Sequence, residues 1–353
     1  MEKVVFVDFW GYNGLELYDE AVIRELTEVY SVDILTSRKS TIKLESNKVF
    51  FPYSDRFNFA RKWVRPLEYF FAWIFIVGFS IRNRASIVHL QWALIPVIDL
   101  FFVKTLKILG LKVFMTVHNI HPHRNSGISF FRLNLYQSFD GLLTHSELHT
   151  DELRFFGLKN TIVTAFHPLK PKADFKEFPE ERTALFLGRL TYEKGLSDLI
   201  DVYKNGNFSF RLVIAGKPRD GFEMPEIPKR LNIVVIKREL TQNEVVELIE
   251  NSWALLTPYR TGTISGVWFD AIRHQRLIVS TRFGAYSEYL SPNYCLLSDN
   301  LESLLNSFAN LSKDNLSIMI NNSINEFERK FAKTKLLRLY QNLYENISNS
   351  TVL

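Results

Sequence analysis

The chain has one cysteine and no apolar run long enough to cross a bilayer. Cys295 is the only cysteine among 353 residues, so an intrachain disulfide is excluded. The longest apolar run, Tyr69 to Ile81, falls short of the roughly 20 residues that a spanning helix needs. A strand pattern begins at once, with no secretory signal before it. We therefore expect a protein of the reducing cytoplasm.

The sequence also has little bias of charge. The formal net charge is +5, the basic residues are scattered, and no nucleic-acid-binding motif occurs, so a nucleic-acid partner is not predicted. A mild positive charge suits an anionic ligand or an anionic membrane surface. With 46% hydrophobic residues over 353 positions, the chain can bury two ordinary domain cores. Its 30 Phe and 14 Tyr are many for this length, and we expect some of them on surfaces that meet an apolar phase.

Short apolar strands alternate with helical segments in both halves of the chain. In the first half the predicted strands are 4–9, 31–37, 86–92, 112–118, 141–146 and 161–166. In the second half they are 183–189, 210–217, 232–240, 253–259 and 277–283. Strands that are apolar on both faces and separated by helices indicate parallel sheets covered on both sides. The predicted fold class is therefore α/β, with two Rossmann-like domains facing a cleft.

A proline-rich and charged stretch separates the two halves. We assign an N-terminal Rossmann-like domain to 1–166, a linker to 167–182 and a C-terminal Rossmann-like domain to 183–332. The remaining segment, 333–353, is predicted to be a helix that packs back on the N-terminal domain. Ligands of such sheets bind beyond the carboxyl ends of the strands, so residues that follow strands directly are the candidates for function.

Two cations follow the strand 183–189. Arg189 closes the strand, and Lys194 lies at the start of the next helix, followed by a glycine. Cations beside a helix N-terminus suit a diphosphate, because the helix dipole and free N–H groups add to the attraction. The alternative is a pair of solvated surface cations.

The stretch RTGTISGVWFDA, 260–271, follows the strand 253–259. Thr263, Ser265 and Gly266 stand at the beginning of a predicted helix, where small residues let a phosphate approach the N–H groups. Asp270 is one turn further on, and a carboxylate there can accept two hydrogen bonds from a ribose diol. The alternative is a helix with a serine N-cap and a solvated aspartate.

In the first half, His118 ends the strand 112–118. An imidazole there can hydrogen-bond a sugar hydroxyl or help a leaving phosphate carry its charge. The loops after this strand and after the first strand supply the predicted acceptor-binding or sugar-binding residues. They are Tyr12, Asn13, Gly14, Asn119 and His121. No metal site is predicted at HNIHPH, because its spacing is extended and no acid or cysteine joins it.

These motifs, in their order and spacing, resemble family 4 glycosyltransferases with the GT-B fold. The segments that carry the resemblance are GRLTYEKG at 188–195, IAG at 214–216, PYRTGTISGVWFDA at 258–271 and TVH at 116–118. The resemblance implies a glycosyltransferase that moves a sugar from a UDP- or GDP-sugar to a glycan or lipid-linked saccharide. It implies retention of anomeric configuration, no bound metal or other cofactor, and a part in surface polysaccharide biosynthesis.

The resemblance implies that 1–166 is the acceptor-binding domain and 183–332 the nucleotide-sugar donor-binding domain. It also assigns roles to single residues. Arg189 and Lys194 are expected to be catalytic with His118 and to hold the donor diphosphate with Thr263, Ser265 and Gly266. Asp270 is expected to hold the ribose, and the base is expected at Arg238, Glu239 and Leu240. One position departs from the family pattern: Gly262 stands where an acid that contacts the donor sugar is expected.

The segment 57–84 joins basic residues to an aromatic and aliphatic run. Basic and aromatic residues beside an apolar patch favour peripheral contact with an anionic membrane, at the inner face of the cell membrane. The alternative is a buried core helix with charged ends. Two other functions also stay open: a sugar-nucleotide epimerase of the GT-B type, against which Gly262 argues, and a non-catalytic nucleotide-binding subunit.

Overall fold

A computed structural model describes residues 1–11, 15–44, 47–51, 65–120, 128–167, 172–330 and 333–345. The chain divides into two compact units. Unit 1 comprises Met1–Pro168 and Phe331–Leu353, and unit 2 comprises Leu169–Lys330. The described part of the predicted linker, 172–182, therefore lies with unit 2.

Unit 1 is built on a parallel sheet. Within the described residues this sheet has seven strands in the order β3-β2-β1-β4-β5-β6-β7. The strands are β1 (Lys3–Asp8), β2 (Ser31–Thr36), β3 (Asn47–Phe50), β4 (Ile87–Leu90), β5 (Lys112–Val117), β6 (Gly141–Thr144) and β7 (Thr161–Thr164). The helices of this unit are α1 (Leu15–Leu26), α2 (Arg65–Arg82), α3 (Pro96–Ile108), α4 (Phe130–Ser138) and α5 (Glu147–Phe155), together with α12 (Lys333–Tyr344).

Each face of this sheet carries its own apolar core. One core joins side chains of α2, α3, α4 and α5 to the sheet, and the other joins α1 and α12 to the opposite face. The last helix belongs to unit 1 through buried contacts. Tyr340 Oη lies 3.2 Å from Tyr18 Oη, and Tyr344 Oη lies 3.1 Å from His89 Nδ1.

A buried carboxylate ties α2 to the beginning of α3. Asp99 accepts hydrogen bonds from the Tyr69 hydroxyl, from Trp73 Nε1 at 2.9 Å and from the backbone N–H of Ile95 at 2.9 Å. The Tyr69 hydroxyl also accepts a bond from the backbone N–H of Leu94 at 3.2 Å. Burial raises the pKa of Asp99 to about 7 despite these donors, because removal from water disfavours the charged form.

Unit 2 repeats the same plan. Its described residues form six parallel strands in the order β10-β9-β8-β11-β12-β13. The strands are β8 (Thr183–Leu187), β9 (Arg211–Ala215), β10 (Ile233–Ile236), β11 (Ala254–Thr257), β12 (Leu277–Ser280) and β13 (Cys295–Leu297). The helices are α6 (Leu196–Asn205), α7 (Gln242–Glu250), α8 (Gly266–Arg273), α9 (Tyr286–Tyr289), α10 (Leu301–Ala309) and α11 (Lys313–Lys330).

The predicted α/β class with two Rossmann-like domains is confirmed. In each sheet the strand order reverses once, between β1 and β4 and between β8 and β11. At such a reversal the neighbouring connections leave on opposite faces, which opens a crevice at the carboxyl ends of the strands. Among the described residues no helix is long and apolar enough to cross a membrane.

We predict that Asp99 makes the stability of unit 1 depend on pH. The pKa of Asp99 is raised from 3.8 to about 7 in the folded protein, so the folded state keeps a proton that the unfolded chain has already released. Its contribution is fully present below about pH 4 and is lost as the pH rises through about 7. The free energy of unfolding, measured with urea, should therefore decrease less for D99N than for the wild type as the pH rises between these values.

Asp151, exposed on α5, is the matched control. D151N should retain the wild-type decrease in unfolding free energy. If the unfolding free energies of D99N and the wild type changed equally with pH, the assignment to Asp99 would be contradicted.

Candidate functional site

The candidate donor site lies at the strand reversal of unit 2. Gly188 and Arg189 follow β8, and Pro258 and Tyr259 follow β11. Because the strands are parallel, these residues meet at one edge of the sheet. The site is therefore assembled from segments that are about seventy positions apart in the chain but adjacent in the sheet.

The Lys194 ammonium group lies between the end of β8 and Tyr259, which follows β11. The half-buried Lys194 side chain places Nζ 4.9 Å from the centroid of the Tyr259 ring, a cation–π distance. A Cβ atom at position 188 would lie 2.8 Å from the same Nζ, so the ammonium group lies against Gly188 at the end of β8. The Tyr259 hydroxyl is in turn 3.4 Å from Ser265 Oγ. Tyr259 therefore links Lys194 to the N-cap of α8, whereas Arg189 is exposed at the strand end.

A close backbone approach holds α6 against the end of β11. Gly195, with φ of 65°, is the N-cap of α6, and a Cβ atom there would overlap the Pro258 carbonyl oxygen. The loop after β11 is held to the segment that leads into this helix, because the backbone N–H of Arg260 donates to the Glu193 carbonyl at 2.9 Å. The Arg260 guanidinium also pairs with Asp198, with Nε 2.6 Å from Oδ2.

The N-terminus of α8 is open to a ligand. Ser265 is the N-cap, but its side chain makes no capping hydrogen bond, and Gly266 is exposed. The Thr263 carbonyl accepts a bond from Ala285 N at 3.0 Å, which fixes the approach to the helix. N–H groups without a side-chain cap and the positive end of the helix dipole attract an anion.

Asp270 follows Gly266 by four residues on α8, so both lie on the same side of the helix. Its side chain is half-buried. The helix therefore presents N–H groups at its beginning and a carboxylate one turn further on. Such an arrangement can bind a phosphate and an adjacent diol, which is the order of groups in a nucleotide.

The predicted base-binding segment follows β10. Arg238 does not offer a free guanidinium: Nη1 lies 3.1 Å from Glu244 Oε2, and Nη2 contacts Oε1 of the same side chain. Glu244 forms a capping box with Thr241 at the start of α7. Glu239 reaches Lys217 after β9 at 3.7 Å, and Leu240 is half-buried. The side chains of Arg238 and Glu239 thus pair with neighbours in unit 2.

Gly262 lies in the loop between Tyr259 and α8. It is exposed, and a Cβ atom there would lie 3.3 Å from the Phe283 ring. A Cβ atom at Gly284, with φ of 52°, would overlap the carbonyl oxygens of Gly262 and Thr263. The loop is therefore packed closely against the segment after β12, and no acid projects from position 262.

In unit 1, His118 follows β5 directly and is firmly held. Its Nε2 lies 3.0 Å from Gln91 Oε1. The Trp92 ring stacks on its imidazole with the centroids 4.4 Å apart. Gln91 and Trp92 follow β4, the strand at the reversal of this sheet. His118 therefore lies at the position where the topology predicts a ligand.

Burial, together with neighbouring histidines, lowers the pKa of His118 well below its usual value. The His145 ring lies 5.0 Å from the His118 ring and 5.8 Å from the His167 ring. The Tyr18 ring lies against all three, with centroid distances of 5.0 to 5.4 Å. A neutral His118 offers one ring nitrogen as donor and one as acceptor, which suits a hydroxyl group better than an anion.

A buried pair of carboxyl groups lies at the end of β1. Asp8 accepts bonds from the backbone N–H groups of Trp10 and Gly11, each at 2.9 Å. Burial, followed by the charge of Asp8, raises the pKa of Asp19 well above its usual value. We therefore assign the negative charge to Asp8 and the shared proton to Asp19. The pair holds the beginning of the loop that follows β1.

Four of the predicted acceptor-binding residues, Tyr12, Asn13, Gly14 and His121, lie outside the described residues. Asn119, the fifth, follows His118 and is half-buried. Among the residues that the structure describes, no group of three or more histidine, cysteine or acidic side chains could hold a metal ion.

Sequence reasoning missed several side chains at both edges. They are Asp8, Gln91, Trp92, His145, His167 and Tyr259. Each of them ends or follows a strand, but the predicted strands were drawn too long and absorbed most of them. Applying the rule of carboxyl ends to every strand would have found them.

A family of known proteins matches the chain over nearly the whole of unit 2. Residues 170–331 match the family model described as glycosyl transferases group 1. An uncharacterized glycosyltransferase of Methanocaldococcus jannaschii is 22% identical over 196 residues, which are 54% of this chain and 56% of that protein. The match thus spans about half the length of the curated relative.

Solved structures are similar over nearly the whole chain. HepE of Anabaena, in complex with UDP and glucose, has a TM-score of 0.72 at 12% identity and covers 98% of this chain and 100% of its own. Sucrose-phosphate synthase from Thermosynechococcus elongatus has a TM-score of 0.71 at 11% identity, with 98% of each chain covered. An E. coli trehalose-6-phosphate structure bound with UDP-2-fluoro glucose has a TM-score of 0.70 at 11% identity, covering 97% and 98% of the two chains.

At these identities the solved structures show the fold, and it is the fold of GT-B glycosyltransferases. The family match over unit 2 and the curated relative support a transferase. The resemblance to GT-B glycosyltransferases that the sequence predicts is therefore confirmed.

We predict that Gly195→Ala destabilises unit 2 more than Gly221→Ala does. Both glycines have positive φ, 65° and 79°, where an alanine costs about 1–2 kcal/mol. Only at position 195 does the added Cβ atom overlap backbone, that of Pro258, whereas the space around Gly221 is open. Urea unfolding of the two variants measures the difference, and equal losses would show that the approach to Pro258 is unimportant.

Proposed function

We propose that the chain is a glycosyltransferase that moves a sugar from a UDP- or GDP-sugar to a glycan or lipid-linked saccharide in surface polysaccharide biosynthesis. The observation that carries the proposal is the contact of the Lys194 ammonium group with Tyr259, whose hydroxyl reaches Ser265 at the N-terminus of α8, one turn from Asp270. The cation and the N–H groups suit a diphosphate, and the carboxylate suits the ribose that follows it in a nucleotide.

The chemistry of transfer needs such an arrangement. When the glycosidic bond to the donor breaks, negative charge grows on the departing diphosphate. Lys194, Arg189 and the first N–H groups of α8 would stabilise this charge, and preorganised donors of this kind cost no reorganisation during the reaction. The two cations would take the role that a divalent ion has elsewhere, so the transfer is metal-independent.

UDP is the first nucleotide to test. HepE and the E. coli trehalose-6-phosphate structure, which share the fold, are both described with UDP or a UDP-sugar. The paired side chains of Arg238 and Glu239 leave their backbone as the part of this segment that would read the base. GDP remains the alternative.

On the acceptor side, a neutral His118 would hydrogen-bond the attacking hydroxyl or a hydroxyl of the donor sugar. Asn119 and the predicted residues Tyr12, Asn13, Gly14 and His121 would complete this side. The sequence pattern marks no carboxylate as a nucleophile. The acceptor hydroxyl would therefore attack the sugar on the face from which the diphosphate leaves, with retention of configuration. The enzyme would work in the cytoplasm, in peripheral contact with the inner face of the membrane through 57–84.

A non-catalytic nucleotide-binding subunit is the second candidate, and Gly262 favours it. Without an acid at this position, the donor sugar has one polar contact fewer than the resemblance implies. Nucleotide binding without turnover would distinguish this function from transfer.

We predict that Lys194→Ala and Asp270→Ala each weaken UDP binding about 10- to 100-fold, because a hydrogen bond to a charged group contributes about 1.5–3 kcal/mol. Isothermal titration calorimetry measures the affinity. Lys204→Ala and Asp201→Ala, on the solvent side of α6, are the matched controls and should bind UDP as the wild type does. Wild-type affinity in the Lys194 and Asp270 variants would overturn the proposed donor site.

We predict that the protein turns over a UDP-sugar and that this turnover persists in EDTA. NMR of the transferred sugar should show that its anomeric configuration is retained. Mass spectrometry should find no sugar bound covalently to the chain. A trapped glycosyl-enzyme adduct would reject same-face attack, and loss of turnover in EDTA would reject metal independence. UDP binding without turnover of any offered sugar or acceptor would favour the non-catalytic subunit.

A further inference from the structure

Three helices on one face of unit 1 expose large apolar side chains in their first or middle turns. We define the aromatic patch by Leu67, Phe71 and Ile74 of α2, Phe101 of α3, and Phe130 and Phe131 of α4. Leu67 is 56% exposed, Phe101 59% and Phe130 74%. Exposed apolar groups of this size on neighbouring elements mark an interaction surface rather than a folding requirement.

Contacts below the surface show that these helices are neighbours. Phe70 and Phe101 both pack on the buried Phe102 ring, at centroid distances of 5.2 and 5.0 Å, and Phe70 contacts Phe71. At the far ends of α3 and α4, Lys107 Nζ lies 3.1 Å from the Ser138 carbonyl oxygen. Since the C-terminal ends of α3 and α4 meet and the helices run parallel, their N-terminal ends also lie side by side.

The patch lies at the edge of the sheet that carries His118. Each of these helices follows a strand, so its first turns lie at the carboxyl ends of the strands. A direct contact supports this position: the Tyr69 hydroxyl of α2 accepts a bond from Leu94 N, two residues after Trp92. The exposed apolar side chains therefore adjoin the predicted acceptor side of unit 1.

The charges around the patch indicate its partner. The helices α2, α3 and α4 contain five arginines and lysines but only two acidic residues. Of these acids, Asp99 is buried and Glu68 is half-buried. Lys104, one turn after Phe101, is exposed, and Arg132 follows Phe131 directly, whereas Arg82 and Lys107 lie at the C-terminal ends of their helices. A second copy of the chain would bring equal positive charges together across a two-fold interface. An anionic surface with an apolar interior complements both features.

We propose that the aromatic patch docks unit 1 on a bilayer that contains anionic lipid, with the first turns of α2, α3 and α4 at the headgroups. This extends the membrane contact from α2 to three helices and orients it, with the strand ends toward the lipid. The benefit for a lipid-linked acceptor rests on the proposed function. The docking itself does not.

Co-sedimentation of the full chain with vesicles tests the proposal. The wild type should bind vesicles of phosphatidylcholine with phosphatidylglycerol and bind pure phosphatidylcholine vesicles at least about tenfold less, because the exposed cations contribute to the attraction. The triple variant F101S/F130S/F131S should partition to the mixed vesicles at least about tenfold less than the wild type. Each replaced side chain is exposed, so the variant should keep the wild-type unfolding midpoint.

The control is F155S, because Phe155 is 87% exposed at the C-terminal end of α5, away from the patch. It should bind mixed vesicles as the wild type does. UDP affinity should stay unchanged in both variants, which separates this test from that of the donor site. Equal sedimentation of the triple variant and the wild type would overturn the proposal. So would a concentration-dependent dimer in sedimentation velocity that the triple variant abolishes, since the patch would then be a self-association surface.

Discussion

The contact between Gly195 and the Pro258 carbonyl is the constraint on which the donor site depends. A parallel sheet brings the ends of β8 and β11 together, but a side chain at position 195 would hold α6 away from β11. With glycine there, Lys194 comes to the face of Tyr259, and Tyr259 reaches Ser265 at the start of α8. The Arg260 pair with Asp198 and the bond from Arg260 N to Glu193 hold the same approach from the loop side. The position of one charged group therefore follows from backbone packing.

The two sheet edges are electrostatically different. In unit 2 the edge presents cations and the positive end of a helix dipole, which suits an anion. In unit 1 burial favours the neutral form of three groups at the edge, because the pKa values of His118 and His145 are lowered and that of Asp19 is raised; Asp8 beside Asp19 keeps the negative charge. Neutral groups that donate and accept hydrogen bonds suit hydroxyl groups, whose binding requires no compensating charge. A glycosyltransferase needs both kinds of surface, since its donor is an anion and its acceptor attacks through a hydroxyl group.

Much of the fold followed from local pattern, and much of the site did not. Buried strands such as β5 and β8 are continuous apolar runs, and the Thr241–Glu244 capping box is a sequence motif, so both were predictable. The short edge strands β3 and β13 contain too few apolar residues to show a period, and they were missed. Gln91 and Trp92 looked like the end of a strand, and their roles come from contacts with His118, 27 and 26 residues away. The pairing of Arg238 with Glu244 likewise depends on how the loop after β10 turns toward α7.

Helix α2 shows why the choice between a core helix and a surface helix could not be made from its sequence. Its inner side contributes the buried residues Tyr69, Trp73 and Ile76, and the stacked pair of Trp73 and Phe102 lies 5.5 Å apart at the centroids. Its outer side carries Phe71 and Ile74, which are not needed for that packing. Folding alone would be served as well by polar residues there, because exposed apolar area gains nothing from the core. Their presence, with Phe130 and Phe131 on a separate helix, therefore requires a reason outside the fold, and an apolar phase bearing negative charge supplies one.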